Sequence, residues 1–378
     1  MYIDPNREGP RRRRRSSRGI LLFALGLLTA ILVLRTRPDW LREQLASLLP
    51  SPTPAPTATP SAERLAATAE AAQERGDLDA AVEAWSTVMA ADSGMVAARS
   101  ALVRILTWRR LDAEALQLAR EAVAAAPEDP AAHTALAMAL DWSGDSEAAI
   151  PAAQAALDLA PEHAPAHAVL AEAYAATGQW DAALAEAERA LALAPEDPET
   201  HRALGMAREV RGEGRAALDA YEVALRLAPQ IGAYHIDVGR AWRLLGDPAA
   251  AAGAYEAALA ADPRDPVAYD GLGLLRYDAG EPDAAAEWFQ RAIEVEPRYA
   301  PGHGHLGWVR YAKREWSAAA GSFERAIDLG SKAVDYRYLL GFSLAYAGDC
   351  GRARPWFEQA QALDPESQPA RDGLALCP

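Results

Sequence analysis

Proline recurs at intervals of 34 residues. Pro127, Pro161, Pro195, Pro229, Pro263 and Pro297 keep that spacing without a slip, Pro365 lies two intervals further on, and Ser93 and Ser331 fill the neighbouring slots of the same grid. A fixed period of this length means that the chain is assembled from small stacked units, none of which can bury its apolar face alone. With the proline at position 32, nine units follow: 62–95, 96–129, 130–163, 164–197, 198–231, 232–265, 266–299, 300–333 and 334–367, with a partial tenth at 368–378. A length of 378 residues would otherwise suggest two or three separate domains. The repeat overrides that expectation.

Each unit reads as two short amphipathic helices. In 130–163 the first opens at Asp129-Pro130, an N-cap acid followed by proline, and carries an apolar stripe of Ala135, Leu136, Ala139 and Leu140. Gly144 ends it, and a second helix runs from about Ser146 until Pro161 stops it. Strand signals are absent. Position 20 is Ala in every unit, from Ala81 to Ala353; position 27 is Ala in all but Val88; position 8 is small in all but Val103. Position 24 holds a large ring in six units, as Trp85, Tyr221, Tyr255, Phe289, Phe323 and Phe357. Small residues at fixed distances from aromatics are what close-packed helix pairs require.

Over residues 62–378 this pattern resembles the tetratricopeptide repeat (TPR) family. Departures are few: Arg110 and Arg314 stand where the other units have a turn glycine, and Ser331 replaces a proline. The resemblance implies an all-α, right-handed superhelical solenoid of nine helix pairs plus a partial C-terminal capping helix. It also implies that positions 2, 5, 9, 12 and 13 of the first helices line a concave groove. Carried over residue by residue, these include Leu274, Tyr277, Trp308, Tyr311, Tyr338, Phe342 and Tyr346 toward the C-terminus, Arg202, Arg240 and Arg243 in the middle, and Trp108 and Trp142 nearer the N-terminus. Exposed aromatics are common anchors for a protein or peptide ligand, and the arginines can meet acidic groups. The competing reading is that the rings fill gaps between tightly curved repeats. The family's carboxylate clamp is not reproduced, since position 9 holds no Asn and the chain has only two lysines, Lys313 and Lys332. The asparagine ladder of TPR-bearing sugar transferases is missing too.

The resemblance also bears on the two cysteines. In such a stack the end of the capping helix approaches the preceding turn, bringing Cys377 toward Cys350, so a disulfide is one reading and two unlinked thiols the other. The bond would close a loop of about 27 residues and pin the terminal cap. His133, His167, His201, His235 and His303 all occupy position 4, which in this family is a helix-packing position. A metal role fails on distance, because neighbouring first helices lie roughly 8–10 Å apart whereas each zinc ligand must sit about 2 Å from the ion.

Residues 1–61 have a different character. Residues 1–18 form a basic tail with Arg7, Arg11 to Arg15 and Arg18, and 19–34 carry no charge and are almost wholly apolar. Sixteen residues span roughly 24 Å as a helix, short for a membrane crossing but workable if Arg18 and Arg35 snorkel. A cleavable signal peptide is the rival, yet Arg35-Thr36-Arg37-Pro38 offers no small-x-small site. Seven arginines before the span against three shortly after it set the N-terminus in the cytoplasm and the repeats outside. Residues 35–49 read as a juxtamembrane amphipathic segment, with Trp40, Leu41, Leu45, Leu48 and Leu49 at helical spacing. Residues 50–61 hold five prolines and read as a polyproline-like stalk.

Charge narrows the partners. The first 61 residues hold ten arginines against four acids, which leaves the rest at 28 basic and 49 acidic residues, or −21. Such a body repels phosphate backbones and gains nothing from counterion release, so no nucleic acid is expected. No phosphate loop, G-x-S-x-G or H-E-x-x-H occurs, two cysteines are too few for a Cys-based zinc site, and paired acids such as Glu128-Asp129 and Glu196-Asp197 fall in turns as caps. The expectation is a non-catalytic membrane-anchored scaffold or adaptor that needs no cofactor and no metal. The alternative is a surface receptor that binds a carbohydrate or secreted peptide in its aromatic groove.

Overall fold

The computed structural model describes residues 62–92 and 95–377, together with Leu25 and Leu28. The proposed tail, anchor, juxtamembrane segment and stalk lie outside the described residues, apart from those two leucines, which are helical and exposed. Among the described residues no helix is long and apolar enough to cross a membrane.

From Ala62 onward the chain is nineteen helices with no strand among the described residues. The repeats pair α1 (Ala62–Glu74) with α2 (Leu78–Ala91), α3 (Val96–Trp108) with α4 (Asp112–Ala125), and α5 (Pro130–Trp142) with α6 (Ser146–Leu159). Then come α7 (Ala164–Ala176) with α8 (Trp180–Leu193), α9 (Pro198–Val210) with α10 (Gly214–Leu227), and α11 (Gly232–Leu244) with α12 (Pro248–Ala261). The last pairs are α13 (Pro266–Asp278) with α14 (Pro282–Val295), α15 (Ala300–Ala312) with α16 (Trp316–Asp328), and α17 (Val334–Tyr346) with α18 (Cys350–Leu363), before α19 (Gln368–Leu376) closes the stack.

The helix boundaries follow local chemistry. Asp129, Asp197 and Asp265 each accept a hydrogen bond from a backbone N–H two residues on, with proline at the first helical position. The turn between paired helices is the same in all nine units, with a positive φ at position 15. Glycine holds it in seven, and Arg110 and Arg314 adopt it at φ 58° and 60°. Around Arg314 the closing bonds persist, Arg314 N–H to Tyr311 O at 2.9 Å and Glu315 N–H to Arg310 O at 2.9 Å. The stack therefore enforces the turn even where the residue disfavours it.

Packing inside each pair is set by the invariant small positions. Ala81, Ala115, Ala149, Ala183, Ala217, Ala251, Ala285, Ala319 and Ala353 are all fully buried. So are Val88 and Val103, the two exceptions to the small-residue rule. Phe289, Phe323 and Phe357 are wholly enclosed, each burial contributing about 1.5–3 kcal/mol. The position-4 histidines have a further task. Nε2 of His133, His167, His201, His235 and His303 donates to the carbonyl of the proline six residues earlier, at 2.7, 3.0, 2.8, 2.8 and 3.1 Å. Each ring thus ties a first helix to the turn that precedes it, and the ladder is spent on the backbone.

Candidate functional site

The concave side of the stack is partly occupied by the protein itself. Asp79 in repeat one meets Arg264 in repeat six at 3.2 Å, and Lys332 in repeat eight meets Asp145 in repeat three at 3.5 Å. Between these contacts lies a cavity of about 370 Å³ bordered by Trp108, Trp142, Arg202 and Arg240, so four of the expected groove residues do converge.

Their charges are met within the chain. Arg202 is buried, its Nη1 donating to Glu172 Oε1 at 2.7 Å and its Nε to Asp237 Oδ2 at 2.8 Å. Its guanidinium lies 4.6 Å from the Trp142 ring centre, a ring that Arg110 also approaches at 5.4 Å. Arg240 donates to Glu209 Oε1 at 3.0 Å, Asp237 Oδ1 at 3.0 Å and the Tyr221 hydroxyl at 3.2 Å. Arg243 donates to Asp278 at 2.8 Å. Burial pushes the Glu172 carboxyl up to about 8, with the adjacent Arg202 pulling it back. Hydrogen-bonded acid–arginine pairs hold this region together because a lone buried ion would be far more costly. The middle arginines therefore serve the scaffold before any ligand. Sequence reasoning missed their partners, although Glu172, Glu209 and Asp278 at groove positions 9, 12 and 13 of adjacent repeats were a usable signal; Asp237, at position 6, was not.

The C-terminal aromatics form two groups. In the first, Trp308 sits 4.5 Å from His305, 6.1 Å from Tyr336 and 6.2 Å from Tyr277, while Leu274 and Tyr277 are half-buried against Phe289, Leu306 and Val309. His305 Nδ1 bonds Asp270 at 2.7 Å, so its ring is fixed. In the second, Tyr311 lies 5.2 Å from Trp316 and 6.4 Å from Tyr346, Tyr346 lies 4.9 Å from Trp316, and Phe342 stacks on Tyr346 at 5.9 Å. Phe342 also meets buried Phe357 edge-on at 5.0 Å. Tyr338 packs half-buried beside this group. Tyr346 alone of the expected groove rings is exposed, at 48%. Burial and the neighbouring Tyr346 push the Tyr311 phenol up to about 12. Trp316, from a second helix, was not among the expected residues. It completes a ledge whose outer surface is Tyr346.

Cys350 and Cys377 are joined, their Cα atoms 5.2 Å apart. The bond fastens α19 to the start of α18, where Phe357 already packs against Gly373. Among the described residues no cluster of three or more His, Cys, Asp and Glu side chains is arranged to hold a metal ion.

Comparison with known proteins gives the lineage of this architecture. No curated protein matches the sequence. Among solved structures, the chain is similar to the crystal structure of the APC/C hetero-tetramer Cut9-Hcn1, with a TM-score of 0.61 and 17% identity over 79% of this chain. The match spans 59% of that chain's length. A Pseudomonas aeruginosa pilF structure is similar over 57% of this chain and 98% of its own, at 19% identity and a TM-score of 0.45. Residues 143–207 match one tetratricopeptide repeat profile, and residues 67–130, 202–266, 245–302 and 305–368 match another. Those matches cover well over half of the sequence, in register with the 34-residue grid and its helix pairs, so the chain belongs to the tetratricopeptide repeat family.

Proposed function

We propose that this chain is a non-catalytic scaffold, held in a membrane by residues 19–34 with its N-terminus cytoplasmic, whose solenoid binds protein partners at the extracytoplasmic face. The observation that carries the binding part is the ledge of Tyr311, Trp316, Phe342 and Tyr346. Its outermost ring is 48% exposed while its inner rings are braced by one another and by Phe357. A rigid aromatic surface loses little entropy on binding and suits a polypeptide partner. A glycan would need a free ring face, and Trp308, half-buried, already has His305 at 4.5 Å and Tyr336 at 6.1 Å against it. The protein reading is therefore the better supported.

The anchor reading is supported by an uncharged run preceded by seven arginines, which lies outside the described residues apart from Leu25 and Leu28, three apart, helical and exposed. A disulfide at the far end suits an oxidising compartment.

The test combines topology with capture. Protease added to cells stripped only of outer barriers should digest the C-terminal epitope, and a non-reducing gel should retain the Cys350–Cys377 bond. Protection until the inner membrane is breached would overturn the orientation. Proximity crosslinking from the intact protein should recover a set of proteins that is lost in Tyr346→Ala. An unchanged set would remove the ledge as the binding surface.

A further inference from the structure

Position 33 of the repeats changes sign along the chain. It is Glu128, Glu162 and Glu196 in repeats two to four, Gln230 in repeat five, then Arg264, Arg298 and Lys332 in repeats six to eight, and Glu366 in repeat nine. The basic run coincides with the place where the stack has come back round to its own beginning. Arg264 Nη2 donates to Asp79 of repeat one at 3.2 Å, and Lys332 pairs with Asp145 of repeat three at 3.5 Å while donating to the Gly144 carbonyl at 3.4 Å. Both pairs join repeats that are five apart. Between them, Arg298 borders a cavity of about 730 Å³ with Asp112 and Glu114 of repeat two. Glu366 instead pairs with Arg371 of the cap at 3.6 Å, and the series ends there.

The neutral member of the series makes direct contact. A Cβ on Gly76, in the turn of repeat one, would stand 2.6 Å from Gln230 Cβ, whereas nothing lies within 4 Å of the same position at Gly144, Gly212, Gly246, Gly280 and Gly348. Of these glycines only Gly76 is covered, and the edge of repeat five covers it. This seam differs from the packing within repeats. The side chains of Asp79, Arg264, Asp145 and Lys332 are all at least half exposed. Exposed pairs hold weakly and are screened by salt. By contrast, the position-20 alanines between paired helices leave no exposure at all, and apolar burial of that kind does not depend on charge screening.

We propose that this seam is an electrostatic latch: Arg264 and Lys332 clasp the turns of repeats one and three, set how far the solenoid closes on itself, and let go as ionic strength rises. Each repeat keeps its nearest-neighbour packing on release, so the solenoid widens without unfolding. The direction of the salt effect identifies the latch. Residues 62–378 carry a net charge of −21, so self-repulsion alone would spread the repeats at low salt and let them draw together at high salt. The latch produces the opposite, a closed solenoid at low salt and a wider one at high salt. The inference uses no residue of the C-terminal ledge and does not depend on the anchor.

The test uses the full-length protein with spin labels at Thr87→Cys and Glu256→Cys, exposed positions on α2 and α12 away from the seam. Cys350 and Cys377 are joined to each other and leave only the introduced thiols to label. Between about 0.01 M and about 1 M salt the mean label separation should lengthen by at least about 5 Å, more than the roughly 4 Å within which an ion pair holds. Arg264→Asp with Lys332→Asp puts like charges across both pairs and should give the longer separation already at low salt. Lys332→Asp alone should lengthen it in part, and adding Asp145→Lys, which restores opposite signs, should shorten it again. Circular dichroism checks that helicity is retained. A separation that stays fixed or shortens as salt rises overturns the latch. Lengthening with salt that charge reversal does not reproduce, or that Asp145→Lys does not undo, overturns the assigned pairs. Should a variant lose helicity, the salt titration decides the case, because it leaves every seam residue in place.

Discussion

A methyl group on Gly273 would stand 2.5 Å from Cε1 of Phe289, far inside van der Waals contact. The ring is fully buried, so the missing side chain of one helix is the room that the aromatic of the other requires. The exchange recurs with Gly307 and Phe323 and with Gly341 and Phe357, whereas repeats three and four use Ala137 with Ala153 and Ala171 with Ala187 at the same two positions.

Gly273→Ala should therefore cost about 1–3 kcal/mol by overpacking. Phe289→Ala should cost about 3–5 kcal/mol by leaving a cavity. The double variant reproduces the alanine pair of repeats three and four, so its cost should fall short of the sum of the two. Urea unfolding of the four proteins checks this, and strict additivity would mean that the two positions do not share the space.

The repeat fold was legible because every unit meets the same neighbours. Ala149 and Ala183 face equivalent surroundings, and the Asp-Pro caps at 129–130 and 197–198 mark helix starts wherever they occur. The groove's contents were less legible. Arg202 finds Glu172 and Asp237 30 and 35 residues away, and Asp79 finds Arg264 at 185. The first separation is about one repeat and can be reached by comparing adjacent units. The second depends on a small twist per repeat accumulated over five repeat-to-repeat steps, and no local pattern encodes that angle.

Glu172 should give the solenoid a pH-dependent stability of unusual sign. Burial raises its folded value to about 8 from 4.5, against the pull of Arg202. Between those values the folded chain holds a proton that the unfolded chain has released. The group's contribution is thus full below about pH 4.5 and is lost as pH rises through about 8. Glu172→Gln removes this titration. Denaturant titrations between about pH 5 and 8 should give a flatter stability profile for the variant than for the wild type, and parallel profiles would refute the assignment.

Arg314 adopts φ 60° in a turn where seven other repeats use glycine, and among the described residues no side-chain hydrogen bond or ion pair compensates it. Arg314→Gly should stabilise the chain by about 0.5–1 kcal/mol through relief of the left-handed conformation. Arg110, at φ 58°, lies over the Trp142 ring and donates to the Trp142 carbonyl at 3.4 Å. Its glycine variant loses those contacts and should be near neutral. Melting temperatures of the two variants against the wild type make the comparison.

Removing the Cys350–Cys377 bond should act locally. The bridge spans 27 residues, which corresponds to about 3–4 kcal/mol in the chain-entropy account. A repeat array transmits such a loss mainly to its nearest neighbours. With Cys350→Ser and Cys377→Ser, amide exchange should accelerate in residues 350–376 while residues 164–227 keep their protection. A uniform acceleration would mean that the cap stabilises the whole stack cooperatively.

Within the ledge, Phe342 and Tyr346 should separate binding from folding. Phe342 rests edge-on against the fully buried Phe357, so Phe342→Ala opens the core and should cost about 3–5 kcal/mol. Tyr346 is 48% exposed and its ring contacts among the described residues are with other ledge rings, so Tyr346→Ala should change stability by no more than about 1 kcal/mol. A partner that reads this surface must lose affinity in the Tyr346 variant at unchanged melting temperature. If binding falls only in the Phe342 variant, and in proportion to its lost stability, the rings are packing and the partner contacts another face.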